Sequence, residues 1–312
     1  MTATKVDDSP PLPIGFIGLG QMGGGMALNL ANADVPLTVF DIDSTAMQPL
    51  RKAGANAAQD AATVARQSAL VFLCLPYVDE VEQVLFDPGG VLVGAHQSLQ
   101  VVDASTLNYY ATLSIAQRVA EAGVAYSDCP VSGMPKKARA GTLTMMFGGN
   151  NAAFTAAQPY LRIMGETIIH CGALGCGQMM KAFNNVILDI NIAAFCELLP
   201  LAVKAGLDAG QIAEVVMNGS SRSFASEHFV PKILTGQFDN DYSMRDAYKD
   251  IVNVEEIAAR NDASIPLMEA MHRIYREAME KGFGQQPKSA MIKLYEAQLA
   301  LQVRRDTTRR SQ

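Results

Sequence analysis

The sequence predicts a two-part chain: a doubly wound, mostly parallel α/β sheet over residues 14–176, then an all-α domain over residues 177–303. Three observations carry this expectation. Short, near-continuously apolar runs recur through the first half, separated by segments whose apolar residues stand three and four apart, as strands buried on both faces and joined by helices require. A glycine-rich turn follows the first of these runs. After about Gly177 the strand-like runs fade and helical spacing holds to about Val303.

In chain order, the expected strands are Ile14-Gly15-Phe16-Ile17, Leu37-Thr38-Val39-Phe40, residues 69–73 and Leu99-Gln100-Val101-Val102. Helical spacing covers residues 22–33, 44–52, 78–86 and 107–122, and two further strands at 123–126 and 143–147 extend the sheet. The alternation defines βαβ units. The segment 178–205 is apolar around most of its circumference, which implies burial on several sides. Pro200 is expected to bend or divide it, because proline removes a helical hydrogen bond. Asp189, Asn191, Glu197 and Pro200 make the apolar stretch 186–203 too polar to span a bilayer alone, so no membrane partner is expected.

The chain has 312 residues with 49% hydrophobic content, enough for real cores and consistent with two domains. Lys+Arg 25 against Asp+Glu 31 gives a net charge of −6, which argues against nucleic acid, whose phosphates need clustered cations. The basic run from Arg304-Arg305 to Arg309-Arg310 reads as a solvated polar tail over residues 304–312, and residues 1–13 read as a disordered, Pro-rich tail without the charged and apolar pattern of a secretory signal. Five scattered cysteines (Cys74, Cys129, Cys171, Cys176, Cys196) read as reduced thiols, and a cytoplasmic location is the default expectation.

The first chemical motif is Gly18-Leu19-Gly20-Gln21-Met22-Gly23, which follows a strand and opens a helix. Asp41 stands 41 − 20 = 21 positions after Gly20, at the end of the next strand. In that context the glycines permit a tight turn, close approach of backbone to a pyrophosphate and tight helix–strand packing, the fingerprint of a Rossmann dinucleotide domain. The Asp41 carboxylate favours the ribose hydroxyls of NAD and repels the 2′-phosphate of NADP, with no Arg or Lys between Phe40 and Leu50 to offset it. The competing reading is that Asp41 or Asp43 caps a helix beginning near Ser44, a role that suits Asp43 better.

Four further segments stand out: Asp103-Ala104-Ser105-Thr106, Asp128-Cys129-Pro130-Val131-Ser132-Gly133, Gly175 to Asn185 around Lys181, and Lys249-Asp250. With these in their order, the sequence resembles the β-hydroxyacid dehydrogenase family, which includes 3-hydroxyisobutyrate dehydrogenase and tartronate semialdehyde (2-hydroxy-3-oxopropionate) reductase, from Ile14 to about Leu299. On its own residues, Lys181 is an expensive cation on an apolar helix, with Asn185 one turn on along the same face. The resemblance implies that Lys181 is the general acid/base, which requires desolvation to lower its pKa from about 10.4 toward working pH. It also implies that Ser132 and Gly133 hold a substrate carboxylate, that Asn185 orients the substrate, and that Gly18, Gly20, Gln21, Met22, Gly23, Asp41, Leu75, Pro76, Thr106 and Lys249 meet the cofactor. Bland alternatives are a snorkelling Lys181, Ser132 as a turn residue, Thr106 as the cap of the helix at Leu107, and Lys249 as a solvated charge.

One departure bears on the substrate. Many members continue the serine–glycine pair with a second glycine, whereas this chain has Met134 and then Pro135. The four histidines show no metal-ligand spacing, so no metal is expected, and there is no G-x-S-x-G elbow. Imine reductases share the resemblance but typically lack the lysine, which points this chain to an alcohol or aldehyde. The expected reaction is hydride transfer between NAD and a small β-hydroxyacid or its semialdehyde. The alternatives are a glyoxylate or succinic semialdehyde type of aldehyde reductase, and a catalytically silent dinucleotide-binding protein. The apolar 178–205 segment further implies a homodimer or homotetramer.

Overall fold

The computed structural model describes residues 12–239 and 242–305. The expected tails therefore fall mostly outside it: residues 1–11 and 306–312, with Arg309 and Arg310, are not among the described residues. The described chain divides into two compact units at Lys181/Ala182, five residues beyond the boundary expected from sequence.

Nine strands form one sheet in the first unit among the described residues: β1 (Ile14–Ile17), β2 (Leu37–Phe40), β3 (Asn56–Ala57), β4 (Leu70–Leu73), β5 (Gln100–Asp103), β6 (Ala125–Asp128), β7 (Val131–Ser132), β8 (Leu143–Gly148) and β9 (Gly165–Gly172). The order begins β3-β2-β1-β4-β5-β6, all parallel, with Ile17 level with Phe40 on one side and Leu73 on the other. β8 pairs antiparallel with β6 and β7 and parallel with β9. β1, β4 and β5 are buried along their whole length, which is why β1 and β4 carry no polar side chain and why the Gln100 and Asp103 side chains at the ends of β5 are held by hydrogen bonds around its apolar Val101-Val102 centre. Phe16, Phe72 and Phe147 lie in the core on one face, and Val71, Val101 and Ile115 in the core on the other. Fully burying each such side chain is worth about 1.5–3 kcal/mol.

All six expected strands are present, and three more were not expected. β3 and β7 are two residues long, and β9 (GETIIHCG) is half exposed, with polar residues on either side of its two isoleucines, so none carries an extended apolar run. Two helices start later than expected: the segment 44–52 becomes helical only at Gln48–Lys52, and the segment 107–122 at Tyr109–Glu121.

The 29-residue helix Cys176–Lys204 runs undivided through Pro200. Proline costs one hydrogen bond, and here only the last turn follows it. By length and composition alone this helix is apolar enough to cross a membrane. One of its faces is committed to the core of the second unit, where Val186, Ile192, Phe195 and Leu199 pack with Phe229, Ile233, Ile251 and Tyr275. The other face corrects the expectation of burial on several sides: Phe183, Ile187, Leu198 and Leu201 are exposed.

The second unit adds helices Ala209–Asn218, Phe224–Thr235, Met244–Arg260, Pro266–Glu280 and Ile292–Leu299. Arg304, expected in a solvated tail, is instead held against this unit, donating to the Glu296 carboxylate and to the Val303 carbonyl. A short apolar anchor, the buried Val303 just before it, draws the arginine in.

Candidate active site

In an open α/β sheet a ligand sits beyond the carboxyl ends of the strands, where connections leave a central strand in opposite directions. Here that point lies between β1 and β4, and the glycine motif is the turn leaving β1. Gly18 has φ +90°, a conformation that suits glycine, and a Cβ there would come within 2.4 Å of the Cys74 carbonyl oxygen. A Cβ on Gly23 would lie 1.9 Å from the Gly18 oxygen, so this glycine lets helix Gly23–Asn32 start against the strand. A Cβ on Gly20, by contrast, would meet nothing within 4 Å. The turn is therefore closed on the protein side and open on the outer side. No side chain caps the helix at Met22, and its first turn has no acidic residue, leaving the positive end of the helix dipole for an anion.

Asp41 leaves β2 beside this turn. Its Oδ2 accepts from the Leu19 N–H at 2.6 Å and its Oδ1 from the Asp43 N–H at 2.8 Å, which fixes the carboxylate and leaves each oxygen a further lone pair. The capping alternative separates the two acids. Asp43 accepts from both the N–H and the hydroxyl of Thr45, whereas Asp41 stands seven residues before the helix that begins at Gln48. These residues fit a dinucleotide: an open glycine for the pyrophosphate, the positive end of an uncapped helix, and a fixed carboxylate for a ribose.

The turns after β4 and β5 are joined to each other. The Leu75 N–H donates to the Ser105 hydroxyl, the Ser105 N–H donates to Asp103, and the Tyr126 hydroxyl donates to the same buried carboxylate. Burial pushes the Asp103 carboxyl above its ordinary range, and these donors pull it partly back. Leu75, Pro76 and Thr106 thus share one braced edge. Thr106 is not the helix cap: Asn108 fills that role, accepting from Tyr110 and Ala111.

The start of the Cys176–Lys204 helix is tied to the same edge. Asp128, fully buried at the end of β6, accepts from the Gly175 N–H at 2.6 Å and the Gln178 N–H at 2.7 Å. Desolvation pushes its carboxyl up to about 6 against those two hydrogen bonds. The Gln178 side chain in turn donates to the Ser105 carbonyl and accepts from the Leu107 N–H. Lys181 follows three residues later and is partly buried, less enclosed than its apolar neighbours in the sequence imply.

Ser132 ends β7, paired with Thr144, and Gly133 follows with φ +135°. Met134 then takes φ 30°, ψ 158°, a backbone region that glycine occupies freely and a methionine holds at a cost of about 1–3 kcal/mol. The site therefore keeps a glycine-type backbone where the chain has a methionine, and that side chain is exposed.

Asn185 and Lys249 lie in the second unit. Asn185 is buried and donates from Nδ2 to Asp250 at 2.7 Å. One turn further along the same helix, Asp189 pairs with Lys288, both almost completely enclosed. Lys249, next to Asp250 on helix Met244–Arg260, is partly exposed. Asp103, Asp128, Gln178 and Asp250 all stood in segments marked by the sequence, but nothing in their spacing gave their roles. The Asp189–Lys288 pair spans 99 residues and left no local signal.

What the carboxyl edge of this sheet accommodates is a dinucleotide, and the two-part chain falls in the class of NAD-binding proteins. A model of the NAD-binding domain of 6-phosphogluconate dehydrogenase matches residues 13–172, and a model described as the NAD-binding domain of NADP-dependent 3-hydroxyisobutyrate dehydrogenase matches residues 175–295. The chain is 36% identical over 293 residues to 2-(hydroxymethyl)glutarate dehydrogenase of Eubacterium barkeri, covering 94% of this chain and 97% of that one. It is 31% identical over 287 residues to mitochondrial 3-hydroxyisobutyrate dehydrogenase of Mus musculus, covering 90% and 86%. Among solved structures, 3-hydroxyisobutyrate dehydrogenase of Mycobacterium tuberculosis with L-serine superposes with a TM-score of 0.82 at 28% identity, covering 91% and 99%. The chain belongs to the β-hydroxyacid dehydrogenase family. It is an NAD(P)-dependent dehydrogenase acting on CH–OH groups.

Proposed function

We propose that this enzyme interconverts a small β-hydroxyacid and its semialdehyde with NAD as the preferred partner, and that Lys181 is the general acid/base. When bound, the cofactor accepts or returns the hydride at the hydroxyl-bearing carbon. The amine of Lys181 takes the hydroxyl proton during oxidation and returns it during reduction. Ser132 and the Gly133 N–H hold the substrate carboxylate, and Asn185, its amide fixed by Asp250, orients the hydroxyl end. The observation that carries this reading is the tethering of the helix before Lys181 to the turn that bears Thr106.

Asp41 supports NAD over NADP, since its fixed carboxylate would meet the 2′-phosphate with repulsion. The compounds named for two relatives, 3-hydroxyisobutyrate and 2-(hydroxymethyl)glutarate, are both 3-hydroxypropionates that differ in the substituent at carbon 2. A 2-substituted 3-hydroxypropionate is accordingly the proposed substrate class, and Met134, beside the carboxylate-holding pair, is the residue placed to choose the substituent.

The test is a panel of these two acids, 2-hydroxy-3-oxopropionate, glyoxylate and succinic semialdehyde, each with both cofactors. The highest kcat/KM is expected for a 2-substituted 3-hydroxyacid with NAD. A preference for glyoxylate or succinic semialdehyde, or for NADPH, would overturn the substrate or cofactor assignment respectively. The exposed Phe183, Ile187, Leu198 and Leu201 support a homodimer or homotetramer, which a monomeric mass by light scattering at micromolar protein would refute.

A further inference from the structure

We propose that Gln178 is a positioning residue that sets Lys181 in register with the Thr106 turn. The side chain is 1% exposed and uses both ends of its amide on one turn: Nε2 donates to the Ser105 carbonyl at 2.8 Å, and Oε1 accepts from the Leu107 N–H at 3.0 Å. Those bonds bracket Thr106, the residue assigned to the cofactor. The backbone N–H of Gln178 is gripped by Asp128, so Gln178 is held at both ends. The Ser105 hydroxyl also receives the Leu75 N–H, which extends the brace to the turn after β4. Residues three apart lie on neighbouring positions of a helix, so a shift at Gln178 is passed to Lys181 almost undiminished. A rigid link between the group that moves the proton and the turn that meets the cofactor is what near-attack geometry demands, where an error of about 1 Å costs about 100-fold.

This role rests on the proposed acid/base function of Lys181, and the experiment separates the two. Gln178→Met keeps the length of the side chain and removes both hydrogen bonds. Gln100→Met is the control, because Gln100, on β5, is also a buried glutamine, bonded through Nε2 to the carbonyl of Ala153 in helix Asn151–Met164. Four quantities are read: kcat per folded protein, the primary deuterium isotope effect with 4-deuterated NADH, the Kd for NADH by fluorescence, and hydrogen exchange at Leu107.

In Gln178→Met, kcat falls about 10- to 100-fold, the isotope effect rises, NADH affinity stays within about threefold, and Leu107 exchanges faster. Gln100→Met lowers the melting temperature and leaves kcat and the isotope effect alone. If Gln178→Met does not fold, Gln178→Asn, one methylene shorter with the same amide, is expected to show the same pattern to a smaller degree. Wild-type kcat and isotope effect in the folded variant, or unchanged protection at Leu107, would overturn the positioning role alone. Wild-type protein that turns over no hydroxyacid, or turns over equally well without Lys181, would overturn both proposals.

Discussion

The two units use buried carboxylates in opposite ways. In the first, Asp103 and Asp128 accept from backbone N–H groups and a tyrosine hydroxyl, and no cation is paired with either among the described residues. In the second, Asp189 faces the Lys288 ammonium and Asp250 faces an asparagine amide. Backbone acceptors fix turns, and the turns at the carboxyl edge of the sheet are what a dinucleotide rests on. Side-chain pairs fix helices against one another, which is how a unit without a sheet holds Asn185. The same residue type thus orders loops in one unit and packs helices in the other.

The contrast is sharpest at the ion pair. Asp189→Leu leaves the Lys288 ammonium without its partner in an enclosed site, and a loss of about 3–5 kcal/mol in urea unfolding is expected, whereas Asp189→Leu combined with Lys288→Met is expected to lie near the wild type. Equal losses in the single and double variants would show that the packing, not the pairing, matters.

Asp128 gives the next effect, through pH. Its folded carboxyl titrates at about 6, above the ordinary 3.8, so between those values the folded state holds a proton that the unfolded state has released. Stability from this group is full at low pH and is lost as pH rises through 6, at about 1.4 kcal/mol per pH unit within that window. Burial pushes Asp103 in the same direction. Urea midpoints followed from pH 4 to pH 7 should show a smaller downward contribution in Asp128→Asn, and an unchanged slope would remove this account of the carboxylate.

Much of the first unit could be read from sequence because buried parallel strands must be apolar and a glycine turn leaves little choice of residue. β1, β2 and the strand cores of β4, β5 and β8 were visible for that reason, and β9 was not, since its exposed residues follow no pattern. The site residues in the turns were legible as types. Their wiring was not: that Gln178 reaches Ser105 and Leu107 across more than seventy residues depends on tertiary contact alone. In the second unit helical spacing showed the helices, but the partners of Asn185 and Asp189 could not be found, because hydrogen bonds between helices have no fixed separation along the chain.

The central claim is that one amine exchanges the proton while the carbon exchanges a hydride. Lys181→Ala, assayed for NADH-dependent reduction of the preferred semialdehyde and titrated with NADH for binding, tests it directly. The account predicts a fall in kcat of about 10²- to 10⁴-fold with NADH affinity retained. A variant that binds NADH and turns over at near wild-type rate would contradict it.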